Sequence, residues 1–263
     1  MERRRTACSL TPEGRILLEA SRQIIATYRR LDEQLRSSRD LLQGSLRVAS
    51  IFSIGLHELP PRLKAFREQF PGVTVDVSYL RSPEIYRLVA SDEVELGLVA
   101  YPHGRPGMKF EVFDEDELVI ICHPHHPLAA RKSVPLVALN GEKFIAFKPD
   151  TPTRKIIDRR LREERVELQL TIEFDNVEMV KRAVAIESGI SLVPSNTVTS
   201  EISSGTLVAI PVEGERFVRP LGVICKAVRS RSGICRAFID ALRAGAPQIP
   251  PTPSRAEPAE LAV

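Results

Sequence analysis

At 263 residues the chain is long enough for one large or two modest domains with proper cores. It has no run of 18 apolar residues, and no apolar stretch follows the N-terminal charges, so a membrane span and a secretory signal are both excluded as readings. The net charge is +3; residues 1–43 hold nine Arg and six acidic residues, and subtracting them from 37 and 34 leaves 28 of each sign, so the whole excess lies at the front.

Chain order begins with Leu10-Thr11-Pro12-Glu13-Gly14. Thr11 suits a helix N-cap, Pro12 the first helical position and Glu13 the positive end of the dipole. Leu17, Ile24, Tyr28, Leu31 and Leu35 then keep one narrow face apolar along a single helix running to about Asp40. Such a seam calls for a second chain to cover it. The plainer alternative is packing against the chain's own body.

From Gly44 strands and helices alternate. Leu46–Ile51 reads as a strand, followed by a helix with Leu59, Leu63, Phe66 and Phe70 on one face and Pro60-Pro61 in its first turn. Pro71-Gly72 breaks the chain, and 73–79 alternates as a strand. Ser82 is expected to cap a short helix carrying Ile85, Leu88 and Val89. Strands at Leu96–Tyr101 and Leu118–Cys122 complete a βαβαβ beginning, which implies a mostly parallel sheet with helices on both faces. A second set follows: strand Lys143–Phe147, a charged helix from Thr153 to about Arg165, strand Leu168–Phe174, helix Asn176–Ser188, strand Ile190–Val193, a helix opened by Pro194-Ser195, and Leu207–Val212. Strand Leu221–Ala227 and a helix near 232–244 then return to the first set. Two α/β lobes of Rossmann-like build result, about 44–122 with 221–245 and about 123–220, crossed near 118–124 and 213–224. The tail 246–263 is Pro- and Ala-rich and reads as disordered.

In open α/β sheets ligands sit beyond the carboxyl ends of strands, where helix N-termini offer free N–H groups. Those ends carry Ser50 and Ser53, Arg81 and Ser82, Tyr101, then Thr151 and Thr153, Asn176 and Ser195. Hydroxyls at facing helix starts suit a small anion. Taken singly, each is also an ordinary N-cap.

Thr11-Pro12-Glu13-Gly14, the long amphipathic helix and Gly44-Ser45-Leu46-Arg47-Val48-Ala49 together resemble the LysR-type transcriptional regulators, over about residues 3–245. The resemblance implies a linker helix over 11–43 that pairs two subunits as a homodimer or homotetramer. It implies a bilobed, periplasmic-binding-protein-like (type 2) effector domain over 44–245. It also implies a winged helix-turn-helix before the Thr-Pro-Glu-Gly motif, of which 1–15 would be only a wing remnant, with the recognition helix absent. In the family the turn Ser50-Ile51-Phe52-Ser53 commonly contacts the effector, with Thr151 and Thr153 opposite. On this reading Ser50→Ala with Thr153→Ala weakens effector binding without unfolding the chain. Arg3, Arg4 and Arg5 suit DNA phosphates but cannot read bases, so this stretch alone implies weak, salt-sensitive DNA binding.

Other chemistries find little support. His123, His125 and His126 could ligate a metal, but side chains alternate along extended backbone and no carboxylate sits at a supporting spacing, so no metal is expected. The His126-Pro127-Leu128 tripeptide is also usual in the family. Cys8, Cys122, Cys225 and Cys235 form no Cys-x-x-Cys pair and read as reduced cysteines of a cytoplasmic protein. There is no nucleophile elbow, phosphate loop or dinucleotide fingerprint, so neither catalysis nor a cofactor is expected. The acidic runs Asp114–Glu117 and Glu163-Glu164 read as solvated faces. A ligand-gated regulator is the leading reading. An effector-binding partner that pairs with a full-length relative, or a transport receptor of the same bilobed shape, are the alternatives. The missing signal peptide and the dimerising helix argue against the receptor.

Overall fold

The first helix starts as its capping sequence dictates: Thr11 Oγ accepts the Gly14 N–H at 3.0 Å, and α1 runs Pro12–Ser37. A computed structural model describes residues 11–37, 42–214, 216–227 and 233–244, without side chains for 29–37. Arg3, Arg4, Arg5, Cys8, the tail 246–263 and the side chains of Leu31 and Leu35 therefore lie outside the described residues. Of the seam, Leu17, Ile24 and Tyr28 are each about 70% exposed. The flank of α1 nonetheless lies beside the body, with Arg22 3.6 Å from Glu93.

Strand β1 (Gly44–Ser50) pairs in parallel with β2 (Val73–Tyr79) and β3 (Leu96–Ala100). Between them come a π-helical turn at Ile54–Glu58, α2 (Leu59–Gln69) and α3 (Ser82–Ala90). Strand β9 (Val218–Lys226) then lies antiparallel to β3, and β4 (Met108–Cys122) antiparallel to β9. Helix α7 (Gly233–Ala244) shares one sheet face with α2, where Phe66 and Phe238 meet edge to face at 5.0 Å. Helix α3 covers the other face with Ile85, Tyr86 and Val89 against Ala49, Val99 and Ile224. Helices on both faces are as expected.

The second lobe grows on the far half of β4, which pairs antiparallel with β7 (Ser191–Pro194) and β8 (Val208–Ile210). Strand β5 (Lys143–Phe147) runs parallel to β6 (Gln169–Phe174) and joins β7 through Ile145 N–H to the Ile190 carbonyl. Helices α4 (Pro152–Glu163), α5 (Val177–Ala185) and α6 (Thr199–Ser204) complete it, around a core of its own that includes Ile120, Ile145, Val180 and Leu192.

Two differences from the sequence reading concern the crossing. The sheet is mixed rather than mostly parallel, because β4 and β9 cross between lobes antiparallel to their neighbours. Strand β4 also starts ten residues before the expected Leu118. In the first lobe it is an edge strand, and its charged, half-exposed alternation hides it from an apolar reading. The acidic run 114–117 is thus no solvated turn: Asp116 is buried in the crossing. The hand-over falls where Leu118 N–H meets the Phe217 carbonyl at 2.9 Å.

Candidate functional site

A cleft between the lobes encloses about 590 Å³ of space continuous with solvent. Ile51, Leu80 and Ala100 wall it from the ends of β1, β2 and β3; Phe147 and Asp175 do so from the ends of β5 and β6. This is the position that open α/β sheets reserve for ligands.

The first turns of α3, α4 and α5 open onto it, and local sequence decides which donors stay free. In α4, Thr151 caps by accepting the Arg154 N–H at 3.3 Å, and Pro152 has no N–H, so the Thr153 N–H is left over. In α5, Asn176 caps Met179 at 3.0 Å, leaving the Val177 N–H. Asn176 is itself held by Asp175 through its amide at 3.0 Å. The α3 cap position is Arg81, with no side-chain cap bond; Ser82, expected as the cap, is already the first helical residue.

Charge is arranged in two layers. At the floor Arg219 is buried, with Nε 2.8 Å and Nη2 2.5 Å from the Asp116 carboxylate and Nη1 3.1 Å from Ser53 Oγ. Since Ser53 accepts from Arg219, its own hydroxyl proton is free for a ligand. Burial pushes the Asp116 carboxyl above its ordinary value, against the opposing pull of Arg219. At the mouth Arg81 of the first lobe pairs with Asp150 of the second, yet Arg81 Nε is buried with no hydrogen-bond partner. Further interlobe contacts run from His57 to Glu178 at 2.8 Å and from Asn196 to Glu58, which is held in turn by the buried Arg62 at 2.6 Å.

Of the residues nominated from sequence, the fold brings Ile51, Ser53, Arg81, Ser82, Thr151, Thr153 and Asn176 to this cleft. Ser50, Tyr101 and Ser195 are not among its walls. Ser50 is fully buried and its Oγ donates to the Ile51 carbonyl at 3.0 Å. Ser195 starts a 3-10 turn whose next residue, Asn196, is used as an interlobe strut. Tyr101 packs on the first lobe's core with φ +50°, and burial pushes its phenol up to about 12. Phe52, within the turn that the resemblance implicates, lines the cleft as well, whereas sequence reasoning missed Asp150 and Arg219. For Arg219 a signal existed: it is an arginine inside the otherwise apolar stretch Val218–Cys225.

Residues 39–247 match the family of the LysR substrate binding domain, and the chain belongs to that family. Its members are transcriptional regulators rather than enzymes. Among individual relatives, the transcriptional activator CmpR of Synechocystis is 27% identical over 233 residues, 89% of this chain and 76% of CmpR. The RuBisCO operon transcriptional regulator of Allochromatium vinosum is 29% identical over 206 residues, 78% of this chain and 68% of the relative. In structure, the regulatory domain of Synechocystis CcmR, solved in complex with 2-PG, is 27% identical with a TM-score of 0.71, covering 80% of this chain and all of that domain. Among the described residues no helix is long and apolar enough to cross a membrane.

Proposed function

We propose that the interlobe cleft takes a small anionic effector and that its occupancy sets how the two lobes sit relative to each other. The observation that carries this reading is the convergence on one space of the Ser53 hydroxyl, the free N–H groups of Thr153 and Val177, and the unpartnered Nε of Arg81. An anion placed there gathers donors from both lobes, so it binds the closed arrangement better than the open one and shifts the population toward closure. The related CcmR domain was solved with 2-PG, which makes that compound the first to test.

The exposed seam of Leu17, Ile24 and Tyr28 suits pairing with a second copy, as a dimer or as half of a tetramer. In such an assembly, lobe closure would change the spacing of paired DNA-binding heads on their half-sites, with Arg3, Arg4 and Arg5 assigned to phosphate contacts.

The test is a thermal-shift screen of small carboxylates and phosphates, 2-PG included, on the wild type and on Ser53→Ala/Arg81→Met, which removes both side-chain donors. This pair takes the place of Ser50 and Thr153, because Ser50 is not among the cleft's walls and Thr153 offers its backbone N–H, which alanine keeps. A binder at a hundredfold excess over its Kd adds about 2.7 kcal/mol, or roughly 5–10 °C in Tm for a chain of this size. The expected result is a shift of that order with at least one anion, reduced in the double variant. No shift with any anion, or an equal shift in both proteins, would overturn the reading.

A further inference from the structure

Outside the cleft, one cluster combines metal-ligating side chains from distant parts of the chain. The segment 123–126 is not the extended stretch its prolines suggest but a turn after the end of β4, closed by the His126 N–H on the His123 carbonyl at 2.9 Å. The turn sends His126 Nε2 toward Glu142 at 3.4 Å and brings the His123 and His125 rings together, their centroids 4.8 Å apart, so the parting of neighbours expected from extended backbone does not occur. What no local spacing reveals is that Glu187, two residues beyond the end of α5, is brought beside those two rings. Its Oε1 lies 3.2 Å from His123 Nδ1 and 3.6 Å from His125 Nδ1. One ligand atom from each of the three residues lies within 4.8 Å of the others, and no other group of three or more is found among the described residues.

We propose that His123, His125 and Glu187 form a binding site for a divalent late transition-metal ion, with zinc as the best match. Metal–ligand distances of about 2.0–2.2 Å place the donors of a tetrahedral site roughly 3.3–3.6 Å apart. Both nitrogen–oxygen separations, 3.2 and 3.6 Å, fall near that range, and the His125 ring that carries the third donor is exposed; His123 Nδ1, which accepts the His125 N–H at 3.3 Å, would exchange that bond for the ion. Two imidazoles and a carboxylate are a donor set that zinc accepts, with water in the fourth position. Cys122 precedes His123 but is not among these ligands: its side chain is fully buried in the second lobe's core. The site is separated from the effector cleft by the length of α5, about 14 Å for nine residues. The two functions can therefore be tested apart.

Glu187 also supplies a discriminating variant. Its φ is +60°, and its N–H and that of Ser188 return to the carbonyls of Val184 and Ala183, a helix ending that favours glycine. Asp92 and Arg165 have positive φ at the ends of α3 and α4, so this geometry is ordinary and is not itself evidence for a metal. It does mean that Glu187→Gly removes the ligand while suiting the backbone. Untagged protein, stripped with a chelator, is titrated with zinc chloride by calorimetry. The expected result is one equivalent bound in the micromolar range, weakened about tenfold or more in Glu187→Gly and in His125→Ala. The Tm of metal-free Glu187→Gly should equal or exceed that of the metal-free wild type, which excludes unfolding as the cause. His126→Asn keeps an acceptor for the Leu128 N–H and should bind zinc like the wild type. Absence of saturable binding, equal affinity in Glu187→Gly, or an equal loss in His126→Asn would each overturn the assignment.

Discussion

The hinge floor and the cleft mouth are both built on arginine–carboxylate pairs, yet they do different work. Arg219 and Asp116 are 3% and 1% exposed, and Arg62 lies at 1% between Glu58 and Asp114. Arg81 and Asp150, by contrast, are 34% and 51% exposed. A pair that water cannot reach must be complete, because either partner left alone is an uncompensated buried charge. A pair at the mouth can be broken and remade at little cost, since water and incoming anions compete for it. The same chemistry is a fixed strut in one place and an exchangeable latch in the other.

The largest expected effect follows from breaking the strut. Arg219→Met leaves the Asp116 carboxylate buried and alone, which should cost about 3–5 kcal/mol in denaturant unfolding. The double variant Arg219→Met/Asp116→Leu should recover most of that loss. The pH dependence has a defined sign. Burial already holds Asp116 above its ordinary carboxyl range, and losing Arg219 raises it further. The penalty is therefore full at neutral pH and shrinks as acid protonates the folded-state carboxyl. A single variant within about 1 kcal/mol of the wild type at pH 7 would show that the hinge pair is not the strut described here.

The latch should respond in binding rather than in stability. Asp150 occupies Arg81 as an effector anion would, so Asp150→Asn should leave unfolding free energy within about 1 kcal/mol. It should tighten anion binding by as much as about tenfold, a difference of 1.4 kcal/mol. Arg81→Met should weaken the same binding. Calorimetry with whichever anion emerges from the thermal screen compares the three proteins. Equal affinities in all three would mean that the mouth pair takes no part in recognition.

Local chemistry was legible in the sequence, and long-range assembly was not. The cap at Thr11 appears as expected, and Thr151 and Asn176, nominated for the cleft with an ordinary N-cap as the alternative, each cap a neighbour three residues on as well. The strand at Val73–Tyr79 was visible because one face is buried and the side-chain period is two. The first half of β4 was hidden, since as an edge strand it needs no apolar run. Arg219 could be seen as odd within its strand, but its partners Asp116 and Ser53 are 103 and 166 residues away. Likewise His123 and His125 were noticed, while Glu187 could not be connected to them without the fold that ends α5 beside β4. Ser50 was misplaced for a subtler reason: at a strand end, one residue decides whether a hydroxyl faces the cleft or its own backbone.

The smallest expected effect lies between the two regimes, at His57 and Glu178. This interlobe contact is partly exposed on both sides, at 21% and 37%, so it should act more like the latch than the strut. Burial alone would raise the Glu178 carboxyl, but hydrogen bonds from His57 and Lys181 and their charges outweigh it and hold it below its usual value of 4.5. A lowered carboxyl contributes stability that is present above pH 4.5 and lost as pH falls through its folded-state value. Because the pair is in contact with solvent, that contribution should stay below about 1 kcal/mol. Glu178→Gln should therefore match the wild type at acid pH and fall slightly below it toward pH 6. A deficit that persists unchanged below the titration of Glu178 would mean that the side chain matters through packing rather than charge, which would move this contact to the strut side of the comparison.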